Sequence, residues 1–473
     1  MAEVITKEQM NEQCSFMAKI KEENNIFAIT HGRERRACTK TYGCQQNEND
    51  TERIRGMLKE CGFSFVDDEE EADLVIYNTC AVRENAEQKV FGRLGILKHI
   101  KEERHGDMTI AVCGCMVQQE HIAKQIKKVH NHVDLVFGTH ALYRMPKLLY
   151  EAMHRKKAVF DIENSDGAIA EDIPTMHESK YQAWVSVMFG CNNFCSYCIV
   201  PYVRGRERSR KSEDIINEIK ELVKGGCSEI SLLGQNVNSY GKDLDEDIDF
   251  AKLLRLVNEV EGVERIRFMT SHPKDLSDAL IDAMAECDKV CHQLHLPFQA
   301  GNDRVLREMN RHYTRDEYLE KIRRIKKKIP DIFLSSDVIV GFPTETNEDF
   351  EDTIKVIEEV EFDHIYSFIY SRREGTPAAK LDFVLTDEEI HKNFNRLLEV
   401  QNAISKRKND AYVGTVQTVL VEGKSIKDEN VLSGRCDSSK IVNFKGSPDL
   451  IGKYVKVKVT QAMTWSLNGE LAE

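Results

Sequence analysis

Three cysteines lie within one eight-residue stretch of the segment FGCNNFCSYC, as Cys191-x3-Cys195-x2-Cys198. Thiolates are soft ligands that suit zinc or iron–sulfur centres. A structural zinc ion and a cubane iron–sulfur cluster each normally take four protein ligands. Three clustered thiols therefore leave one metal position open for another molecule. A zinc site with a distant fourth ligand, or simple buried thiols, is the competing interpretation, and the tight spacing disfavours it.

Three further cysteines each follow a predicted strand: Cys44 in TYGCQQN, Cys80 in VIYNTC and Cys115 in AVCGC. The carboxyl ends of neighbouring parallel strands meet at one edge of a sheet. These thiols are therefore expected to converge although they are far apart in the sequence. From spacing alone, buried thiols that fill core space explain the same pattern equally well. Cys113 lies two residues before Cys115 and would share its face of a strand.

The bulk composition places this chemistry in a reducing compartment. The chain has 473 residues, 14 cysteines and a net charge of −13. It has neither a signal-peptide pattern at its start nor an apolar run of about 18 residues, so we expect a cytoplasmic protein without a membrane span. Cysteines there indicate metal or redox chemistry before disulfides. The acidic charge argues against a uniformly basic nucleic-acid coat but permits a local basic patch.

The elements that must position these cysteines fall into segments, and the predicted fold class is α/β. Residues 1–35 are an N-terminal extension, 36–155 a parallel α/β domain, and 156–176 an acidic linker. Residues 177–408 contain six strand–helix repeats, fewer than the eight of a full barrel, so we predict a partial (β/α)6 barrel. Residues 409–473 alternate like a small all-β barrel or sandwich. Thr314 with Glu317, Thr346 with Asp349 and Thr386 with Glu389 predict helix starts.

The motifs resemble the methylthiotransferase family of radical S-adenosylmethionine (SAM) enzymes. Cys191-x3-Cys195-x2-Cys198 after a first barrel strand matches the radical SAM motif. TYGCQQN, NTCAVRENAEQK and GCMVQ resemble the family's N-terminal signatures, and LSGRCDSSKIVNF resembles a TRAM domain, an RNA-binding β-barrel. The resemblance covers roughly residues 37–473, with the motifs in the family's order. GQNVNSYG and LPFQAGNDRVLREMNRHYTR favour the branch that modifies isopentenylated adenosine in tRNA.

The resemblance implies two 4Fe–4S clusters. Cys191, Cys195 and Cys198 would hold the cluster whose open iron binds SAM, and a one-electron transfer to SAM would generate a 5′-deoxyadenosyl radical. The auxiliary cluster would be held by three cysteines of the first domain, Cys44, Cys80 and Cys115, with GCMVQ favouring Cys115 over Cys113. Gly341 and Glu345, in the run GFPTE, and Arg204 would contact SAM. The other cysteines are expected to be structural: Cys14, Cys38, Cys61, Cys227, Cys287, Cys291 and Cys436.

The implied reaction adds a methylthio group to carbon 2 of N6-isopentenyladenosine beside the anticodon of tRNA. The implied partners are tRNA and an electron donor such as flavodoxin or ferredoxin. Threonylcarbamoyladenosine or a ribosomal protein remains an alternative substrate, and a non-catalytic iron–sulfur RNA sensor an alternative function. Two groups of cations are candidate phosphate contacts, and for the second, helical group a solvated face is favoured. They are Arg204, Arg206, Arg208, Arg210 and Lys211, and then Lys321, Arg323, Arg324, Lys326, Lys327 and Lys328.

Overall fold

A computed structural model describes residues 3–81, 84–162 and 167–472 of the chain. Its first part alternates strands and helices, as predicted. The elements are β1 (Glu3–Val4), α1 (Lys7–His31), β2 (Arg36–Tyr42), α2 (Gln45–Glu60), β3 (Ser64–Phe65), β4 (Leu74–Thr79), α3 (Glu84–Glu103), β5 (Thr109–Gly114), α4 (Glu120–Val129), β6 (Leu135–Phe137), α5 (Met145–His154), β7 (Val159–Asp161) and β8 (Ala168–Ile169). A six-stranded parallel sheet has the order β3-β2-β4-β5-β6-β7. Every residue of β4 is buried, because helices cover both faces of such a sheet.

Both segments that flank this sheet in the sequence take part in its fold. Helix α1, within the expected extension, starts at a capping box between Thr6 and Gln9. Its Met17 and Ile20 are buried in the core that α2 and α5 also enter. Strand β7 lies in the segment predicted as a linker, and it pairs with β6 as an edge strand. The sheet therefore continues beyond residue 155, where the sequence pattern had placed its end.

The central part of the chain forms the predicted partial barrel. Its elements are β9 (Gln182–Ser186), β10 (Met188–Phe189), α6 (Val200–Arg204), β11 (Arg208–Ser209), α7 (Ser212–Lys224), β12 (Glu229–Leu233), α8 (Phe250–Asn258), β13 (Arg265–Phe268), α9 (Asp278–Glu286), β14 (Gln293–His295), α10 (Asp303–Glu308), α11 (Arg315–Lys328), β15 (Phe333–Val340), α12 (Asn347–Val360), β16 (His364–Ile369) and α13 (Asp387–Asp410). Two parallel sets, β9-β12-β13 and β14-β15-β16, are joined by a bridge between Ile266 and Val290. The three predicted capping boxes start α11, α12 and α13.

The last part of the chain is a closed five-stranded β-barrel rather than a sandwich. Its strands are β17 (Val416–Lys424), β18 (Val431–Arg435), β19 (Ile441–Lys445), β20 (Tyr454–Ala462) and β21 (Ser466–Leu471). Their order is β17-β18-β19-β21-β20, and β20 closes the barrel onto β17. Short 3₁₀ helices lie elsewhere in the chain at Glu69–Glu71, Thr139–Arg144, Val237–Ser239, Pro273–Asp275, Pro377–Lys380 and Pro448–Leu450. Among the residues described, no helix has the length and apolar character needed to cross a bilayer.

The two flanking domains dock on different parts of the partial barrel. Helix α2 of the N-terminal domain covers the first edge strand, where Asn49 Nδ2 donates to Trp184 O at 3.0 Å. The C-terminal β-barrel docks at the N-terminal ends of the barrel strands. There Arg265 donates to Thr418 O at 2.7 Å, and Arg267 donates to Cys436 O at 2.8 Å. Because the carboxyl ends of the strands carry chemistry in such barrels, the β-barrel lies at the opposite end.

Candidate active site

Three thiols of the N-terminal domain converge at one edge of its sheet. Cys44, Cys80 and Cys115 follow the ends of β2, β4 and β5, which are neighbours in that sheet. The pairing continues past the strand ends, since Cys80 N donates to Tyr42 O at 2.9 Å. The structure thus brings together the three cysteines that the sequence analysis selected, by the parallel topology on which that expectation depended.

The thiol of Cys44 lies at the N-terminus of α2 and is exposed. A hydrogen bond with the Cys80 thiol is the largest of several effects that lower the pKa of Cys44 to about 5. The charge of Arg204 and the backbone N–H groups of Asn47 and Gln46 act in the same direction, against burial. A helix N-terminus favours negative charge for the same reason. Cys44 is therefore a thiolate at neutral pH, the form that binds metals.

Cys115 is buried and is in contact with a cation from the other domain. Arg204, at the end of α6, donates from Nε to Cys115 Sγ at 3.1 Å and from Nη2 to Asp50 Oδ2 at 2.7 Å. Burial raises the pKa of Cys115, and Arg204 opposes that rise. The guanidinium therefore places one buried positive charge between the thiols and a carboxylate.

Cys113 and Cys115 do not share an environment, contrary to the expectation from a regular strand. Gly114 between them has φ +96°, a left-handed conformation that turns the chain. Cys113 packs in the core with residues such as Phe137, and burial raises its pKa well above the ordinary value. Cys115 instead joins a small apolar cluster with Ile199. The geometry groups Cys115, and not Cys113, with the other thiols.

The second cysteine set lies on a loop between two short paired strands. β10 precedes Cys191, and β11, which pairs with β10 in antiparallel fashion, follows the loop. Cys191 N donates to Gly205 O at 3.2 Å across the base of the loop. Farther along, Ser196 N donates to Met309 O at 3.0 Å, and its Oγ donates to Glu308 O at 2.7 Å. The loop is thus fixed both to itself and to the segment after α10.

The thiols of this loop are close enough to affect each other's ionisation. Burial raises the pKa of Cys191 to about 11, the charges of Glu207 and Cys195 add to the rise, and hydrogen bonds from Asn193 oppose it. The pKa of Cys198 is also raised, first by burial and then by Cys195. Arg311 is buried and donates to Cys195 Sγ at 3.4 Å. Without a bound cation, Cys191 and Cys198 are neutral thiols.

The thiols of both sets are ligands that suit a soft cation, although their present arrangement is not that of a bound metal site. In the described part of the chain, no three His, Cys, Asp or Glu side chains are arranged so that they could hold a metal ion as they stand. Each set nevertheless contains three thiols in mutual electrostatic contact and a buried arginine. A coordinated metal deprotonates a thiol outright, which offsets the raised pKa values. Thiolate ligands select zinc or iron–sulfur centres.

Gly341 and Glu345 follow β15, at the same end of the barrel as the cysteine loop. Gly341 N donates to the carboxylate of Glu345 at 2.6 Å. Glu345 is buried, and burial raises its pKa to about 8, against that hydrogen bond. Gly341 has φ +72°, and a Cβ there would lie within 3 Å of the side chain of Ile390. The structure thus gives a packing reason for the glycine, where the sequence analysis expected close approach to a ligand.

The segment that carries Glu345 is linked to the cysteine loop through one residue. Thr344 Oγ1 donates to the carboxylate of Glu308. The backbone oxygen of Glu308 accepts the hydrogen bond from Ser196, which lies between Cys195 and Cys198. Two separate sequence motifs are therefore held in one hydrogen-bonded unit.

The first basic group is largely internal to the protein. Arg204 contacts Cys115 and Asp50 and so lies at the N-terminal thiol set. Arg208 donates to backbone oxygens of its own loop, and Arg210 is paired with Glu171 and Glu218. Arg206 and Lys211 are exposed. The group therefore orders the loop more than it presents phosphate contacts.

The second basic group lies on α11 and matches the expected solvated face. Arg323 is paired with Glu359, and Arg324 with Asp278. Among the histidines, His295 bonds to Ser335 at 3.0 Å, and burial is the main cause of a lowered pKa at His272.

Several polar side chains near the loop were not selected from the sequence. Arg311 contacts Cys195, and Lys274 Nζ donates to Asn193 Oδ1 at 2.6 Å inside the cysteine loop. Asn238, after β12, is buried, and among the described residues neither of its amide atoms has a partner. The segments GQNVNSYG and LREMNRHYTR, which contain Asn238 and Arg311, carry no general ligand signature. Only the resemblance of these segments to the family could have indicated these residues.

Three family models match consecutive parts of the chain. "Uncharacterized protein family UPF0004" matches residues 36–138, "Radical SAM superfamily" residues 185–357, and "TRAM domain" residues 410–472. The first match contains the N-terminal thiols, and the second contains the cysteine loop and Gly341–Glu345. The third coincides with the closed β-barrel.

Curated relatives match almost the whole chain. Proteins named tRNA-2-methylthio-N(6)-dimethylallyladenosine synthase from Acetivibrio thermocellus and Clostridioides difficile are each 52% identical to it. The alignments cover 99% and 98% of this chain and 97% of each relative. The protein of that name from Clostridium perfringens strain 13 is 54% identical over 92% of this chain and 97% of its own length.

Solved structures share the fold at low identity. One is the radical S-adenosylmethionine methyltransferase TsrM from Kitasatospora setae with cobalamin and a [4Fe-4S] cluster bound, with a TM-score of 0.53 and 12% identity. It covers 81% of this chain and 77% of that one. The same enzyme with tryptophan and a SAM analogue gives a TM-score of 0.52 at 13% identity, with coverage of 81% and 78%. At this identity the likeness concerns the fold alone.

Proposed function

The chain belongs to the family of tRNA-2-methylthio-N(6)-dimethylallyladenosine synthases, and from this membership we propose its reaction. It replaces the hydrogen on carbon 2 of N6-isopentenyladenosine, beside the anticodon of tRNA, with a methylthio group. One observation carries the proposal: two separate sets of three thiols flank the short helix α6. The cysteine loop enters this helix, and Arg204 at its end contacts Cys115.

The cofactors are two 4Fe–4S clusters and S-adenosylmethionine. Cys191, Cys195 and Cys198 would hold one cluster. The other would be held by the N-terminal set, Cys44, Cys80 and Cys115. When bound, these groups supply the one-electron chemistry that an unactivated aromatic C–H bond requires, together with the sulfur. Three thiols for each cluster leave room for one non-protein ligand, which suits SAM at the first and sulfur at the second.

Two arginines supply positive charge next to the thiolates. Arg311 lies 3.4 Å from Cys195 Sγ, and Arg204 lies 3.1 Å from Cys115 Sγ. A buried cation favours the charged form of a neighbouring thiol. We assign Arg204 to the N-terminal set, where its contacts are, as a positioning residue for Cys115.

The space between the two thiol sets is apolar. Ala81, Ile199 and Val203 are buried and form one small cluster with Cys115. Cys198 and Arg204 are six positions apart in the sequence, so their Cα atoms are at most about 21 Å apart. The protein's share of the reaction is to hold both sets around one base and to exclude water from the space between them.

Gly341 and Glu345 are proposed to position SAM beside the cysteine loop. The hydrogen bond from Gly341 N fixes the Glu345 carboxyl group, and Thr344 connects this segment to the loop through Glu308. These hydrogen bonds support a SAM-binding segment that is held in a fixed position relative to Cys195 and Cys198.

The substrate and the chemistry together imply further partners. The reaction consumes electrons, and we propose a carrier such as flavodoxin or ferredoxin as their source. Because the substrate is tRNA, we place the enzyme in the cytoplasm. The same proposal divides the chain into an extension (1–35), an auxiliary-cluster domain (36–155), a linker (156–176), a radical SAM core (177–408) and a TRAM-like domain (409–473).

Nucleoside mass spectrometry of tRNA tests the reaction directly. A deletion strain should lose 2-methylthio-N6-isopentenyladenosine and accumulate N6-isopentenyladenosine, and the wild-type gene should restore the product. Unchanged product would rule out this substrate. Loss of a methylthio group from threonylcarbamoyladenosine or from a ribosomal protein would select those alternatives. An anaerobically reduced holoenzyme that forms no 5′-deoxyadenosine would indicate a non-catalytic RNA sensor.

A further inference from the structure

The open side of the partial barrel carries exposed aromatic side chains in one row. We define the aromatic row as Trp465, His364, Tyr366 and Phe368. Trp465 is 62% exposed, Tyr366 44% and Phe368 41%. The three barrel residues alternate along β16, and Ile365 between them is buried in the barrel core. One face of this edge strand therefore packs inside the protein while the other presents rings to solvent.

The rings of Trp465, His364 and Tyr366 form a continuous path between two domains. Tyr366 and His364 have ring centroids 4.4 Å apart, and those of His364 and Trp465 are 5.6 Å apart. His295, on β14, lies 5.7 Å from Tyr366 on the other side. The path starts on the C-terminal β-barrel and runs along β16 toward the strand ends, where the cysteine loop lies. Aromatic contacts of this kind hold the rings in fixed relative positions.

The turn that carries Trp465 is held by the barrel domain. Asn409, near the end of α13, is buried and donates to Met463 O at 2.9 Å and to Thr464 O at 3.0 Å. Two hydrogen bonds from one amide therefore fix the residues directly before Trp465. Trp465 thus remains exposed on a turn that is rigidly anchored, which costs little conformational entropy when a ligand binds.

We propose that the aromatic row is the stacking surface for unpaired bases of the anticodon loop next to the base that is modified. The inference rests on the proposed function. Proteins recognise single-stranded RNA by stacking bases on exposed aromatic rings. From His364 to Phe368 the strand rises about 13 Å, the length of roughly four stacked nucleotides. The flat faces of these four rings suit base stacking, and three of the rings also carry a polar edge.

The position of the row fits entry of the RNA from the open side. Asn49 and Gln46 of α2 cover the opposite edge strand β9 through hydrogen bonds to Trp184 O and Ser186 Oγ. The edge at β16 presents its aromatic face instead. Beyond Phe368, Arg372 lies 4.9 Å from the ring centroid of Phe383, which is 41% exposed. A cation therefore stands where the path reaches the end of the barrel that holds the cysteines.

The chain provides its own fluorescent reporter, because Trp184 and Trp465 are its two tryptophans. A Trp184→Phe holoenzyme leaves Trp465 as the sole tryptophan. We expect an isopentenylated anticodon stem-loop RNA to quench its emission saturably. The midpoint of the quenching titration should equal the midpoint of binding measured by the anisotropy of labelled RNA. A fully paired RNA of the same length should not quench. RNA that binds by anisotropy and leaves the emission unchanged would overturn the inference and leave the proposed function intact.

Substitutions separate stacking from a structural role. Trp465→Leu and Tyr366→Leu should each raise KM for the RNA about 5- to 160-fold, with a smaller effect on kcat, because one stacked base is worth about 1–3 kcal/mol. Trp465→Phe and Tyr366→Phe should restore most of the affinity. Leu256→Ala, equally exposed at 44% on α8, is the matched control. Unchanged KM in both leucine variants would overturn the inference. Wild-type holoenzyme that neither binds nor modifies the RNA would overturn the proposed function with it.

Discussion

Arg204 donates a hydrogen bond from Nε to Sγ of Cys115 at 3.1 Å, and the two residues belong to different domains. The same guanidinium is paired with Asp50 at 2.7 Å. The partial barrel therefore supplies a charge that the thiols of the N-terminal domain need. The charge balance of the N-terminal thiol set therefore depends on the docking of the two domains.

Arg204→Gln should separate the two clusters in function. The N-terminal thiols lose their counter-cation, so we expect iron content after anaerobic reconstitution to fall from about eight to about four per chain. Asp50 is left as a buried, unpaired charge, which costs roughly 3–5 kcal/mol. Iron and sulfide analysis and the melting temperature measure the two effects.

A double variant divides these effects. Arg204→Gln with Asp50→Asn should recover stability without recovering the iron. Lys211→Gln, at an exposed position just before α7, is the control for loss of a positive charge. Full iron content in Arg204→Gln would show that Arg204 does not support the N-terminal set.

The two cysteine sets should differ in what their loss abolishes. Cys191→Ala should abolish SAM cleavage, because the first cluster cannot form with two thiols. Cys44→Ala should retain some cleavage to 5′-deoxyadenosine but form no methylthiolated RNA. Cys113→Ala is the matched control, since its thiol packs in the core. Product formation by Cys44→Ala at the normal rate would remove the second set from the mechanism.

Gly341→Ala should destabilise the protein for two separable reasons. An alanine at φ +72° is strained, which costs about 1–2 kcal/mol. Its Cβ would also lie within 3 Å of the Ile390 side chain. Overpacking of this kind typically lowers the free energy of unfolding by a further ~1–3 kcal/mol. The steric part is the coupling energy of a double-mutant cycle, obtained from the melting temperatures of Gly341→Ala, Ile390→Ala and the double variant.

Gly375→Ala provides the matched control for the strain alone. Gly375 has φ +89°, and nothing lies within 4 Å of the Cβ that alanine would add. Its melting temperature should fall less than that of Gly341→Ala. Equal decreases in melting temperature in the two variants would show that the Ile390 side chain moves aside without a loss of stability.

The stability contribution of Glu345 should depend on pH. Burial raises its pKa from 4.5 to about 8, so in this window the folded chain keeps a proton that the unfolded chain releases. Stability therefore decreases as pH rises from about 4.5 to about 8, by up to ~1.4 kcal/mol per pH unit. Glu345→Gln removes this loss.

Melting temperatures of the chain without clusters test the sign. The difference between Glu345→Gln and wild type should grow in favour of the variant from about pH 5 to about pH 8.5. The amide oxygen of glutamine can still accept the hydrogen bond from Gly341 N, so the contact itself is kept. A difference that is constant with pH would contradict the raised pKa.

Much of the fold and of the thiol grouping could be predicted because both follow local patterns. Alternating strands and helices predicted the parallel sheet, and the end of each strand predicted where Cys44, Cys80 and Cys115 would meet. The capping boxes predicted three helix starts correctly. The short strand β7 was missed because three residues leave almost no pattern.

Contacts between distant segments could not be predicted. The contact of Arg204 with SAM was expected from the resemblance of its segment to the family, and nothing in the sequence indicated that its side chain reaches a thiol of another domain. Arg311 has no spacing relationship to Cys195 that would indicate contact. The different environments of Cys113 and Cys115 depend on the left-handed conformation of Gly114, a property of the folded backbone.

Arg265 and Arg267 hold the small β-barrel against the partial barrel, and they thereby also determine its distance from the cysteine loop. These arginines lie at the start of β13, and the cysteine loop lies beyond the other ends of the strands. β15, eight residues long, spans about 26 Å at ~3.3 Å per residue. A molecule that touches both the β-barrel and the thiols must therefore extend along the strands of the partial barrel. The length of the barrel strands thus determines how far the reacting base can lie from the part of a bound RNA that contacts the β-barrel.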